Sequence, residues 1–196
     1  MPGFRVTING KELVAVSVDG LNILSVQIHG DVIGDELAEL QVFGGHYSGN
    51  ETDTHLIWVN EHRINEKDEI EIIFSESVTT SYPGKTIEEL SPKLEEQMGP
   101  WQPIEEMFSE LSNEPRVRDH FSFILLPPSG EPIHAKTNNN EFSFNCSVMW
   151  KWLHPENASI WLTSNTLHGI KERKSGVSHA KLSLQYEQSI KLNVST

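Results

Sequence analysis

The chain has 196 residues, 28 acids against 15 bases for a net charge of −13, and a single cysteine. That length suits one large domain or two small ones, and the lone Cys146 excludes an intramolecular disulfide. The acidic balance argues against direct contact with nucleic acid or an anionic membrane, because both need Lys and Arg against phosphate.

Met1-Pro2-Gly3-Phe4-Arg5 has no basic segment leading into an apolar one, so no secretory signal is read there. No run approaches the ~18 apolar residues of a membrane span, and the expected compartment is the cytoplasm. The first alternation is Phe4, Val6 and Ile8, followed by Asn9-Gly10, a two-residue hairpin signal because both positions tolerate positive φ. Val14, Val16 and Val18 return, Asp19-Gly20 turns the chain, and Leu24, Val26 and Ile28 alternate after it. Leu40 to Phe43 leads through Gly44-Gly45 into a polar loop ending at Asp53. Leu56 to Val59 and Ile70 to Phe74 complete a series of short strands, the pattern of a sandwich or barrel.

The period then changes. Thr86 and Glu89 have the spacing of a capping box, and Ile87, Leu90, Leu94 and Met98 share one helical face until Gly99-Pro100. Pro103 opens a second helix with Ile104, Met107, Phe108 and Leu111 at i, i+3, i+4 and i+7, ended by Asn113 and Pro115. Apolar stripes of this kind need a surface to cover, so the helices are expected to pack on the β halves.

After them the two-residue beat resumes. Phe121, Phe123 and Leu125 alternate, Pro127 to Gly130 turns, and Ile133 and Ala135 follow. Phe142, Phe144, Cys146, Val148, Trp150 and Trp152 form one long alternating run, then come Ile160 to Leu162, Leu182 and Leu184, and finally Ile190, Leu192 and Val194. Adding 120 carries Leu24, Val26 and Ile28 to Phe144, Cys146 and Val148, Leu40 and Val42 to Ile160 and Leu162, and Ile70 and Ile72 to Ile190 and Leu192. Thr54-His55 meets Ser178-His179 only after a slip of four. A register shared by separate blocks points to an internal duplication. The expected fold is mainly β: two similar antiparallel β-sandwich or barrel-like halves, residues 1–80 and 119–196, joined by an acidic connector of two short amphipathic helices, 81–118.

Chemistry-bearing motifs are scarce. His55 and His62, the nearest histidine pair of the first half, are seven apart, unlike the short paired spacings of zinc sites. Neither Gly-x-Ser-x-Gly nor a phosphate loop occurs, and Cys146 lies among alternating apolar residues that suit a buried thiol. No catalytic residue, metal ligand or cofactor is assigned, and enzymatic activity is not the expected role. Trp150 and Trp152 read as core, with Trp152 the better platform if either is exposed. The basic run Lys171-Glu172-Arg173-Lys174 reads as a hairpin tip, or as a group drawn to the acidic helices.

Charge gives the remaining lead. Residues 1–84 hold 14 acids and 4 bases, 85–115 hold 8 and 2, and 116–196 hold 6 acids and 9 bases. Loop Gly44 to Asp53 is acidic, whereas its counterpart Thr163 to Ser178 is basic, which hints at a binding surface. The function expected is a non-enzymatic protein-binding module, of the inhibitor or immunity type, that neutralises a basic partner. Its candidate contacts are Glu51, Asp53, Glu95, Glu96, Glu105, Glu106 and Trp152. The alternatives are an acidic mimic of DNA, a carbohydrate- or small-ligand-binding β domain, and a hydrolase with a composite His/Asp site.

Overall fold

A computed structural model describes residues 1–49, 53–92 and 102–196. The first half supplies β1 (Gly3–Ile8), β2 (Lys11–Ser17), β3 (Ile23–Asp31), β4 (Ala38–His46), β5 (Thr54–Ile64) and β6 (Ile70–Ser75). The connector carries α1 (Ile87–Leu90) and α2 (Ile104–Asn113). The second half supplies β7 (Ser122–Leu126), β8 (Ile133–Lys136), β9 (Ser143–Lys151), β10 (Asn157–Asn165), α3 (Leu167–Lys171), β11 (Val177–Gln185) and β12 (Gln188–Ser195).

These strands form two six-stranded antiparallel sheets, ordered β2-β1-β6-β12-β7-β8 (sheet A) and β11-β10-β9-β3-β4-β5 (sheet B). Each half gives three strands to each sheet, in mirrored order about a central seam. The seam of sheet A is β6 against β12, and that of sheet B is β3 against β9. The alternating pattern left open whether the halves share a core. They do: Phe4, Ile28 and Ile72 lie in one cluster with Phe123, Cys146 and Ile190.

The seams carry the duplication in their register. Gln27 faces Ser147 in sheet B and Glu71 faces Lys191 in sheet A, and each pair is separated by 120 positions. Two residues related by a 120-residue repeat can face one another only on the dyad relating the halves, so both sheets place the dyad at their seam. The hairpins agree, since Val26 pairs Val42 and Cys146 pairs Leu162, each the counterpart of the other. Bulges are repeated too. Val42 pairs Val59 but Phe43 pairs Ile57, leaving Trp58 as the extra residue, and Leu162 pairs Ala180 but Thr163 pairs Ser178, leaving His179. His179 is therefore the counterpart of Trp58. The predicted match of His55 with His179 is corrected: both halves carry the bulge, and the second connection is longer by one residue rather than four.

Local chemistry explains the turns. Asn9 and Gly10 have φ of 53° and 74°, the positive values of a tight hairpin turn. The Asn9 side chain donates to Asp68 Oδ1 at 2.7 Å and accepts from the Glu69 N–H at 2.9 Å, tying this turn to the start of β6. The backbone N–H of Asn65, foremost, then the Asn9 and Asn65 amides hold the Asp68 carboxyl below its ordinary 3.8.

The connector follows its pattern where it is described. Thr86 Oγ1 accepts from the Glu89 N–H and Glu89 Oε2 from the Thr86 N–H, completing the capping box. Leu94 and Met98, predicted to extend that face, lie outside the described residues. Residues 80–85 close one side of the sandwich: Thr80 and Ser81 hydroxyls accept from Ser17 and Ala15 on β2, and Lys85 bridges Ile57 on β5. On α2 the apolar stripe is only partly covered. Phe108 and Leu111 are half-buried, while Ile104 and Met107 remain exposed.

Cys146 sits at 0% exposure beside the dyad, where burial pushes its thiol from the usual 9.0 to about 12. The native protein at pH 8 is expected to resist a thiol-specific reagent, while urea-unfolded chain reacts at once. Thiolate loss alone slows labelling by about a thousandfold, since each pH unit of pKa is tenfold in thiolate. An unfolded thiol ionises near 9 and the folded one only near 12, so this group's contribution to stability is intact below pH 9. It falls as pH rises towards 12. Rapid labelling of native protein would contradict the buried placement.

Candidate functional site

The two ends of the sheet B seam are counterparts, and they are finished differently. At one end Asn22 donates its N–H to the Gly45 carbonyl at 2.9 Å, and Trp152 donates its N–H to the Asn22 carbonyl at 3.0 Å. At the other, Phe142 donates to Asn165 and Val32 donates to Phe142, the same bonds 120 positions removed. The turn before each is also repeated: Leu21 donates to Val18, and Glu141 to Asn138.

At the Val32 end the connector fills the cleft. Val117 donates its N–H to the Val32 carbonyl at 2.8 Å. The Arg116 guanidinium forks onto the carbonyls of Asn139 and Glu141, and Arg118 reaches the Asp31 carbonyl at 2.6 Å and that of Asp35 at 3.1 Å. Leu111 and Ser112 of α2 stand over Phe142 and Leu167, leaving a cavity of about 210 Å³. Helix α3 braces α2 from the side. Thr166 caps α3 by accepting from the Gly169 N–H at 2.9 Å, and Lys171 pairs with Glu105 of α2. The basic run lies in the connection of the β10–β11 hairpin, as its pattern predicts, and its first residue also ends α3 and pairs with the acidic helix α2.

At the Trp152 end nothing from the described connector enters. A cleft of about 400 Å³ is lined by Leu21, Asn22, His46, Tyr47, Ser48 and Trp152. Trp152 is 60% exposed, and Tyr47 (37%) and Leu153 (64%) extend the apolar surface beside it. The core reading of Trp152 is thereby corrected. Strand β9 ends at Lys151, so the alternation that buries Trp150 at 4% exposure stops before reaching Trp152. Trp150 itself is core, its indole donating to the Pro155 carbonyl at 2.9 Å.

The walls of this open cleft are held in place. The Asn22 amide accepts from the Tyr47 N–H at 3.0 Å and donates to the Tyr47 carbonyl at 2.9 Å, fixing the loop entry. Gly45 is required there, since a Cβ would lie 2.0 Å from the Thr54 carbonyl oxygen. Tyr47 Oη is 2.5 Å from His55 Nδ1. Burial, then the Asp53 carboxylate, raises the Tyr47 phenol above its ordinary 10.0. Asp53 accepts from the Ser48 N–H at 2.6 Å, from the Ser48 hydroxyl at 2.8 Å and from the Gly49 N–H, which holds its carboxylate next to Ser48 of the cleft wall.

The predicted contact residues divide between the two ends. Asp53 and Trp152 flank the open cleft, whereas Glu105 and Glu106 are on α2 at the filled end. Glu51, Glu95 and Glu96 lie outside the described residues. Leu21, Asn22 and Tyr47 were not singled out as contacts, and the 120-residue register applied to the loops is the signal that would have found them. Among the described residues no three His, Cys, Asp or Glu side chains converge as a metal-ligand set, and no helix is long and apolar enough to cross a membrane. No family model, no curated protein and no solved structure matches the chain.

Proposed function

We propose that the chain is a non-enzymatic module that binds a basic protein partner, in the manner of an inhibitor or immunity protein, through the end of sheet B that presents Tyr47, Trp152 and Leu153. The exposure of these three large side chains carries the reading, because an apolar patch rimmed by polar groups on a rigid scaffold marks interaction surfaces. The net charge of −13 adds attraction for a basic partner during encounter.

The immobilised chain, exposed to lysate of its native host, should retain a partner whose association, remeasured with purified protein, slows about tenfold or more as salt rises through the Debye-screening range. Trp152→Ala should weaken that complex at least tenfold. The same change should move unfolding stability by no more than ~0.5 kcal/mol, since Trp152 supports little of the core. An association rate indifferent to both salt and Trp152 defeats the proposal.

A second reading rests on the same tryptophan. Trp152 beside Tyr47, Asn22 and Ser48 has the composition of a sugar platform, an aromatic face with amide and hydroxyl groups at its edge. Saturable glycan binding that disappears in Trp152→Ala, with no protein partner retained, would favour it.

A further inference from the structure

The open cleft is the counterpart of one that this chain fills with a segment of its own, and the filled cleft shows what fits. Three backbone carbonyls receive the connector at the filled end. Those of Asn139 and Glu141 take the Arg116 guanidinium, and that of Val32 takes the Val117 N–H. Their counterparts at the open end are the carbonyls of Asp19, Leu21 and Trp152, and among the described residues nothing donates to any of them. The apolar floor is matched in position, with Tyr47 for Leu167 and Trp152 for Val32. The flanking loops correspond in sequence and are opposite in charge. The filled end uses Lys171 to hold Glu105 of an acidic helix, while the sequence of the open-end loop, residues 46–53, carries Glu51 and Asp53 and no Lys or Arg.

From this we infer that the open cleft receives a partner segment built like residues 103–118 with its helix charge reversed: a short basic amphipathic helix running into an extended stretch with an arginine. The helix lays an apolar side chain on Tyr47 and Trp152. The arginine forks onto the Asp19 and Leu21 carbonyls, and the next backbone N–H donates to Trp152. Basic residues of the helix lie toward Asp53, which the Ser48 and Gly49 N–H groups hold beside the cleft. The inference rests on the protein-binding reading above, and it specifies the site and the class of segment bound.

The test uses the full chain and a fluorescently labelled synthetic peptide of residues 103–118 carrying Glu105→Lys, Glu106→Lys and Glu110→Lys, followed by anisotropy. Saturable binding is expected, weakened at least tenfold by Trp152→Ala in the chain and likewise by Arg116→Ala in the peptide, and reduced by added salt. Trp161→Ala, on the exposed face of sheet B, should leave affinity within twofold, and the peptide with its native glutamates should bind at least tenfold more weakly. Binding that ignores Trp152, or no binding at all, overturns the inference. A dimer of the unliganded chain that dissociates on Trp152→Ala also overturns it, because the occupant is then a second copy. If a host partner is retained through Trp152 but the peptide does not bind, the inferred class of segment fails while the protein-binding reading survives. Loss of both peptide and partner removes both.

Discussion

Residues 1–92, produced without the rest of the chain, will fail to fold as a monomer, and so will residues 102–196. Each half contains six strands, a number that often makes a stable sandwich, yet the strands are divided between two sheets that each half only half completes. Cutting the halves apart strips β3 of its nine paired positions with β9, from Ile23–Lys151 to Asp31–Ser143, and β6 of its five with β12. The exposed strand edges would be long and apolar, the condition that promotes association. Val26, Ile28, Ile70 and Ile72, each at 0–1% exposure in the intact chain, flank the lost seams. A chain of under 100 residues already buries a smaller fraction of its surface than one of 196. The fragments should therefore lack a cooperative urea transition as monomers, and any folded material should sediment as a dimer or larger species. Mixed together, the two should recover the near-ultraviolet dichroism of the whole protein. A monomeric fragment that unfolds cooperatively would mean that each half owns a core.

That expectation turns on a feature the sequence shows only partly. Periodicity located the strands because each buries alternate residues, and the repeat of 120 survived because it is tied to the dyad at Gln27–Ser147 and Glu71–Lys191. Periodicity is silent about which strand pairs with which, so the sharing of both sheets was not legible. Trp152 was misplaced for a related reason: alternation says which face a side chain takes within a strand and nothing about where the strand stops. Helix α3 escaped notice because its five residues are too few to show a 3.6-residue period, although Thr166 is a good cap. The two contrasted loops were visible as opposite charges. Their placement needed the connector, whose described residues occupy one end of the repeated seam and do not enter the other.

The seam also sets the costliest single substitution. Phe144→Ala should destabilise the protein by about 3–5 kcal/mol, within the range for removing a buried ring and a large share of the ~5–15 kcal/mol that holds a typical domain folded. Phe144 is 1% exposed on β9. Its ring meets Phe121 and Phe123 edge-on, with centroids 4.7 and 4.9 Å away. Those two residues belong to sheet A and its approach, so the aromatic group fastens one sheet to the other beside the seam. Across the seam, Gly30 pairs with Phe144, and a Cβ on Gly30 would come within 2.9 Å of the ring. The glycine thus leaves the room that the ring occupies, and truncating the ring leaves a void on the side where Gly30 has no side chain to offer. Phe144→Leu, which installs the residue found at the equivalent Leu24, keeps most of the volume and should cost less than ~1.5 kcal/mol. Urea unfolding should show the difference as a lower midpoint at unchanged slope, with the exposed Ile124→Ala (Ile124 is 41% exposed) shifting stability by no more than ~0.5 kcal/mol. Should Phe144→Ala cost no more than Ile124→Ala, the aromatic contact between the sheets would not be part of what holds the halves together.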